Sequence, residues 1–117
     1  MLFRSGQKSN YHASKVEVEI ARNELDRQRM QLTAELESAK SRWRACRDLV
    51  LRFESDQLPA ATALMEAANK QLLSGAIDYM QWSIYHSQVI QTRLDYISTR
   101  EQLRMAAAHI EYLTSQF

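Results

Sequence analysis

Apolar positions recur along most of the chain with a period of seven. Val18, Leu25, Leu32, Ala39, Cys46 and Phe53 follow one another without a slip, and Leu36, Trp43 and Val50 fill the places four residues on. From Leu32 to Phe53 the spacing therefore alternates four and three, the seam of a left-handed helical coiled coil. Beyond Pro59 the row moves over by one position and reads Ala61, Met65, Ala68 and Leu72. In the second half Trp82, Val89, Tyr96, Leu103, Ile110 and Phe117 again stand seven apart, with Ile90, Leu94 and Ile97 in a second apolar row beside them. Two apolar rows on one helix predict two buried faces: one against the other arm of the same chain, the second against a partner from elsewhere.

Three breakers punctuate this pattern. Residues 1–7, with Gly6, read as a short lead-in, and Ser9 or Asn10 is placed to cap a helix beginning near Tyr11. Pro59 removes one backbone donor, so a kink or a break is expected near Asp56 to Leu58. Ser55 and Asp56 are able to cap a fresh helix with Pro59 in its first turn, and a bent continuous helix fits equally. The stretch Leu72-Leu73-Ser74-Gly75-Ala76-Ile77-Asp78 is the one credible reversal: Gly75 suits the left-handed end of a helix and Asp78 the cap of the next. The expected fold is all-α, an elongated antiparallel helical hairpin. Its first arm covers about 8–73 and kinks near Pro59, the reversal lies at 74–77, and the second arm covers about 78–116. The seam is expected to consist of Leu32, Leu36, Trp43, Val50, Phe53, Trp82, Val89, Tyr96, Leu103 and Ile110.

Composition narrows the class. The 117 residues include two glycines and one proline, where average usage would supply about 14 of the two together. Sandwiches, barrels and doubly wound sheets need far more turn residues than that. Fifteen basic and fourteen acidic side chains give a formal charge of +1, without the basic excess that nucleic acid or an anionic membrane surface would attract. Arg42, Arg44, Arg47 and Arg52 are spread around the helix and interleave with Asp48 and Glu54, which reads as a solvated face. No run reaches the roughly 18 to 20 apolar residues of a membrane-spanning helix.

Little in the chain carries chemistry. His12, His86 and His109 lie far apart and none has a glutamate three residues before it, as a di-metal helix site requires. Met80, Trp82 and His86 read as core filler on a helix rather than as soft-metal ligands. The lone Cys46 falls on the seam, where a thiol is a small apolar residue and not an activated nucleophile. No catalytic, cofactor or metal site is expected, and the chain is not expected to be an enzyme.

Several stretches in order resemble the C-terminal helical hairpin of the TolC-like outer-membrane factors, the trimeric exit ducts of bacterial tripartite efflux pumps. They are the lead-in Leu2-Phe3-Arg4-Ser5-Gly6-Gln7-Lys8, the run Ala13-Ser14-Lys15-Val16-Glu17 through Leu25, and Phe53-Glu54-Ser55-Asp56-Gln57-Leu58-Pro59-Ala60-Ala61. The tip stretch Ala68 to Trp82, the run Gln88 to Tyr96 and the ending Ile110-Glu111-Tyr112-Leu113-Thr114 continue the likeness. Ile77-Asp78-Tyr79 and Tyr112-Leu113-Thr114-Ser115 are most similar to the heavy-metal branch, including versions fused to an inner-membrane resistance-nodulation-division pump.

The resemblance implies a single hairpin module cut from a larger duct protein, because the membrane strands, the second hairpin of the family's internal repeat and the export signal are missing from this stretch. It implies a place in the periplasm; without it, a chain lacking a signal reads as cytoplasmic. The implied partners are further copies of itself (a trimer in the intact duct, a dimer as a fragment), a periplasmic adaptor and an inner-membrane efflux pump. Leu72, Leu73, Gly75, Ala76, Ile77 and Asp78 become the adaptor-docking tip. The competing expectation, with no transport role, is a soluble coiled-coil scaffold forming a homodimeric helical bundle.

Overall fold

Long runs without glycine, rich in Ala, Leu, Glu, Gln and Arg, favour helix at nearly every position. The structure, a computed structural model, describes the backbone of residues 2–117 and the side chains from Lys8 onward. It consists of helix α1 (Leu2–Arg52), a π-helical turn (Phe53–Gln57), helix α2 (Leu58–Ser74) and helix α3 (Tyr79–Thr114), with no strand among the described residues. The lead-in expected over 1–7 is instead helical backbone from Leu2, the first turns of α1. Ser9 and Asn10 lie inside α1 and cap nothing: a helix that already runs through them leaves no free amides there for a side chain to accept from.

The chain divides into two compact units, Met1–Glu37 and Ser38–Phe117. In the first unit every residue from Lys8 to Gln31 is exposed, including Tyr11, Val16, Val18, Ile20, Leu25 and Met30. Val18 and Leu25 are thus in heptad phase but remain 57% and 47% exposed. Leu32 and Leu36 are half-buried. An exposed Glu24 carboxylate sits 2.6 Å from Arg27 on the next turn, and that pairing holds its pKa below the usual value.

The second unit is the hairpin. Its core is a double row in which the first arm contributes Ala39, Val50, Phe53, Ala61 and Ala68 and the second Val89, Thr99, Ala106 and Leu113, all buried. Trp43, Cys46, Leu58, Met65 and Leu72 are half-buried between the former, and Trp82, Tyr96, Leu103 and Ile110 between the latter. On α3 the two sets alternate at intervals of three and four from Tyr96 to Leu113, and Trp82, Val89 and Tyr96 carry the row back at intervals of seven, so one stripe of a slightly under-wound helix faces the first arm. Of the expected seam positions within this unit, Val50, Phe53 and Val89 are buried and Trp43, Trp82, Tyr96, Leu103 and Ile110 half-buried. Small residues dominate the buried set, which lets the two backbones approach closely. Thr99 is the polar exception; its hydroxyl donates to the Asp95 carbonyl at 2.8 Å, so its burial leaves no lone donor.

Pro59 does not break the arm, and the irregularity expected near Asp56 to Leu58 takes the form of a π turn over Phe53–Gln57. The disturbance lies just upstream, in the π turn, where the Leu58 N–H bonds to the Phe53 carbonyl five residues back. Ser55 and Asp56 start no new helix: Gln57 precedes α2 without a side-chain cap, and the Ser55 hydroxyl donates to the Arg52 carbonyl at 3.4 Å. The physical reason is a count of residues. A heptad row passing through Phe53 would next bury position 60, yet the buried residues are Ala61 and then Ala68. One residue too many must be stored between Phe53 and Ala61, and a π turn stores one. Proline favours that place, since it donates no N–H and its ring would press on the carbonyl four residues back in an ordinary helix.

Candidate interaction site at the hairpin tip

The reversal is tightly specified. Gly75 has φ 79° and ψ 6°, a left-handed conformation that a Cβ would strain. Its N–H donates to Leu72 O at 3.2 Å and the Ala76 N–H donates to Gln71 O at 2.9 Å, the paired bonds that close a helix through a Schellman motif. Three residues later Asp78 opens α3. Its carboxylate accepts from the Gln81 N–H at 2.8 Å, while the Asp78 N–H donates to the Gln81 side chain at 3.1 Å. This reciprocal capping box satisfies two amides that the helix start would otherwise leave free. Between the two caps, Ala76 and Ile77 have no freedom to extend either helix.

The tip is braced across the hairpin by the Trp82 indole N–H, which donates to the Asn69 side-chain oxygen at 2.8 Å. Tyr79, Trp82 and His86 stack along one side of α3, with ring centroids 5.7 Å and 4.8 Å apart. Around this frame large apolar side chains stand in solvent: Leu73 is 89% exposed, Met80 73% and Tyr79 71%. Leu72 and Ile77 are half-buried, and Ala76 and Asp78 are exposed. Of the residues expected at the tip, Leu72 belongs to the seam, Gly75 and Asp78 set the backbone, and Leu73, Ala76 and Ile77 form the surface. Tyr79 and Met80 complete that surface; both follow Asp78 in the first turn of α3, where side chains point back toward the reversal.

Further up the hairpin, sequence reasoning missed a long-range polar link between the arms. The Tyr96 hydroxyl donates to the Glu54 carboxylate at 2.6 Å, the Phe53 and Tyr96 rings pack 6.0 Å apart, and Arg100 lies over the Tyr96 ring at 5.6 Å. The carboxylate bond raises the Tyr96 pKa above that of an ordinary phenol, with loss of solvation adding to the rise and Arg100 opposing it. The link falls on the π turn, and the shift of one in the apolar row was its only trace in the sequence. The row Ile90, Leu94 and Ile97, expected to need a partner, is exposed in this chain at 42%, 53% and 61%.

Among the described residues no three His, Cys, Asp or Glu side chains gather as a metal site would need. Cys46 is half-buried on the seam. Arg42, Arg44, Arg47 and Arg52 are exposed, with Arg47 paired to Asp48 at 3.2 Å and lying over Trp43 at 5.2 Å. No helix among the described residues is long and apolar enough to cross a membrane. No protein-family model, curated protein or solved structure matches the chain.

Proposed function

We propose that this chain is a docking and wall module: the periplasmic helical-hairpin part of a TolC-like outer-membrane efflux component. Its tip engages a periplasmic adaptor of a tripartite system, with heavy metals as the exported class. The observation that carries the reading is the tip itself. A rigid, doubly capped reversal holds Leu73, Tyr79 and Met80 in solvent, an arrangement that costs exposure of apolar surface and gains only when a partner covers it. The unpartnered row Ile90, Leu94 and Ile97 suits a neighbouring copy in the duct wall. Export energy comes from the inner-membrane pump, and the hairpin's role is positional.

A soluble coiled-coil scaffold uses the same seam and the same exposed row, so the tip separates the two readings. Crosslinking of the purified chain to the isolated helical hairpin of an adaptor tests it, with Gly75→Pro and Ile77→Asp alongside. Docking predicts strong crosslinks for the parent and weak ones for both variants. Equal crosslinking in all three removes the docking reading and leaves the scaffold.

A further inference from the structure

The residue stored in the π turn has a counterpart in the composition of α2. The seam of this arm reads Leu58, Ala61, Met65, Ala68 and Leu72. Displaced by one residue it would read Gln57, Ala60, Leu64, Ala67 and Gln71. The three middle positions are equivalent in the two registers: alanine for alanine, leucine for methionine, alanine for alanine. Only the ends differ, leucine in one and glutamine in the other. The second register is also already in reach of the other arm. Leu64 and Met65 are both half-buried, and Gln57, Ala60 and Leu64 line an open groove of about 270 Å³ against Gln88, Val89 and Thr92 of α3.

We propose that Phe53–Gln57 is a two-register joint. In the register described here the extra residue is held in the π turn. In the other, the turn closes to ordinary α-helix: the Leu58 N–H leaves the Phe53 carbonyl for that of Glu54, and α2 turns by about 100° and advances by about 1.5 Å along the seam. Two features hold the first register. Leu58 and Leu72 lie on the seam where the second would place glutamines, and Pro59 would press on the Ser55 carbonyl once the π turn closed. The Asn69 to Trp82 bond belongs to the first register alone, so closing the joint also re-aims the reversal at Gly75. A ligand at the tip that binds one register better than the other biases the joint by that difference in affinity. The joint is a property of this chain and stands or falls independently of the transport reading.

Thiol labelling of the full chain reads the register, in a Cys46→Ala background with one cysteine at Ala67→Cys or Ala68→Cys. Ala68 is 1% exposed and Ala67 is exposed, so a cysteine at 67 should label fast and one at 68 slowly. Pro59→Ala should speed labelling at 68 by about tenfold or more, since it removes the clash that opposes closure. Exchanging the register ends (Gln57→Leu, Leu58→Gln, Gln71→Leu, Leu72→Gln) in the same background should reverse the order of the two sites. Deleting Ser55 together with Pro59→Ala removes the stored residue, and labelling at 68 should fall well below that of Pro59→Ala alone. Equal rates at 68 in the parent, Pro59→Ala and the deletion variant would overturn the proposal. That comparison decides the matter even if circular dichroism shows the four-fold exchange to be unfolded.

Discussion

Deleting Ser55 is the sharpest perturbation of the hairpin that leaves its buried surface intact. Phe53 and Ala61 are eight apart in a seam whose period is seven, so removing one residue between them brings Leu58, Ala61, Met65, Ala68 and Leu72 into phase with Val50 and Phe53. Ser55 is exposed and makes one long bond, to the Arg52 carbonyl at 3.4 Å, so the side chain itself contributes little. The penalty comes from Pro59, which would then lie inside a continuous α-helix and cost about 3 kcal/mol in a lost hydrogen bond and a ring clash. Pro59→Ala on its own changes stability by less than about 1 kcal/mol, because Pro59 sits in the first turn of α2, where its missing N–H costs little.

The two changes together should therefore restore nearly the parent stability, a coupling of about 3 kcal/mol between neighbouring sites. Deleting Ala45, also exposed, is the contrast. It throws the stretch between the deletion and the π turn out of phase, exposing Val50 and Phe53, which are each 7% exposed in the parent. At about 2 kcal/mol for each such side chain the loss is about 4 kcal/mol, and Pro59→Ala cannot recover it. Thermal unfolding at 222 nm, at one fixed protein concentration, reads all of this; at about 4 °C per kcal/mol the Ser55 deletion should melt about 12 °C below its Pro59→Ala partner. A Ser55 deletion that needs no rescue, or a rescued variant that falls as far as the Ala45 deletion, would rule out a residue stored in the π turn.

Other outcomes follow from single contacts. Val89 is 1% exposed, so Val89→Ala should cost about 2 kcal/mol in denaturant unfolding, from two lost methyl groups and an unfilled gap between the arms. Gly75→Ala should cost about 1 kcal/mol through its positive φ alone, because nothing lies within 4 Å of the added Cβ. Tyr96 should titrate above the ordinary phenol range in an absorbance titration at 295 nm, and Glu54→Gln should move it back toward that range. Its folded pKa is raised, so the link contributes fully below the ordinary phenol pKa of about 10 and fades as pH rises through the higher folded value. Leu94→Asp should leave helix content unchanged while lowering the association state seen in sedimentation, since Leu94 is 53% exposed in the single chain.

The two arms, their seam and the reversal were legible because a period of 3.5 admits one stripe of one helix and because Gly75 and Asp78 have few alternative uses. A period tells which face is apolar without telling what covers it. Val18 and Leu25 keep phase with Phe53 and yet are exposed, as are Ile90, Leu94 and Ile97. The shift of one beyond Phe53 was equally plain, but proline suggested a bend or a fresh cap at Ser55, and the helix absorbed the residue as a wide turn one step earlier. Thr99 was invisible for a different reason: a threonine that returns its hydroxyl to the preceding turn is apolar toward its neighbours. At the tip, Met80 was read as core filler and Tyr79 as part of the second arm's helix, yet both are exposed, and the direction in which helical side chains lean brings them onto the knob that Leu73 begins.

Docking at that knob is read by amide hydrogen exchange of the chain with and without an adaptor's helical hairpin. Exchange should slow at the reversal and the first turns beside it, about residues 70–84, with the row Ile90 to Ile97 unchanged. Protection over Ile90 to Ile97 with none at Leu73 to Met80 would contradict docking.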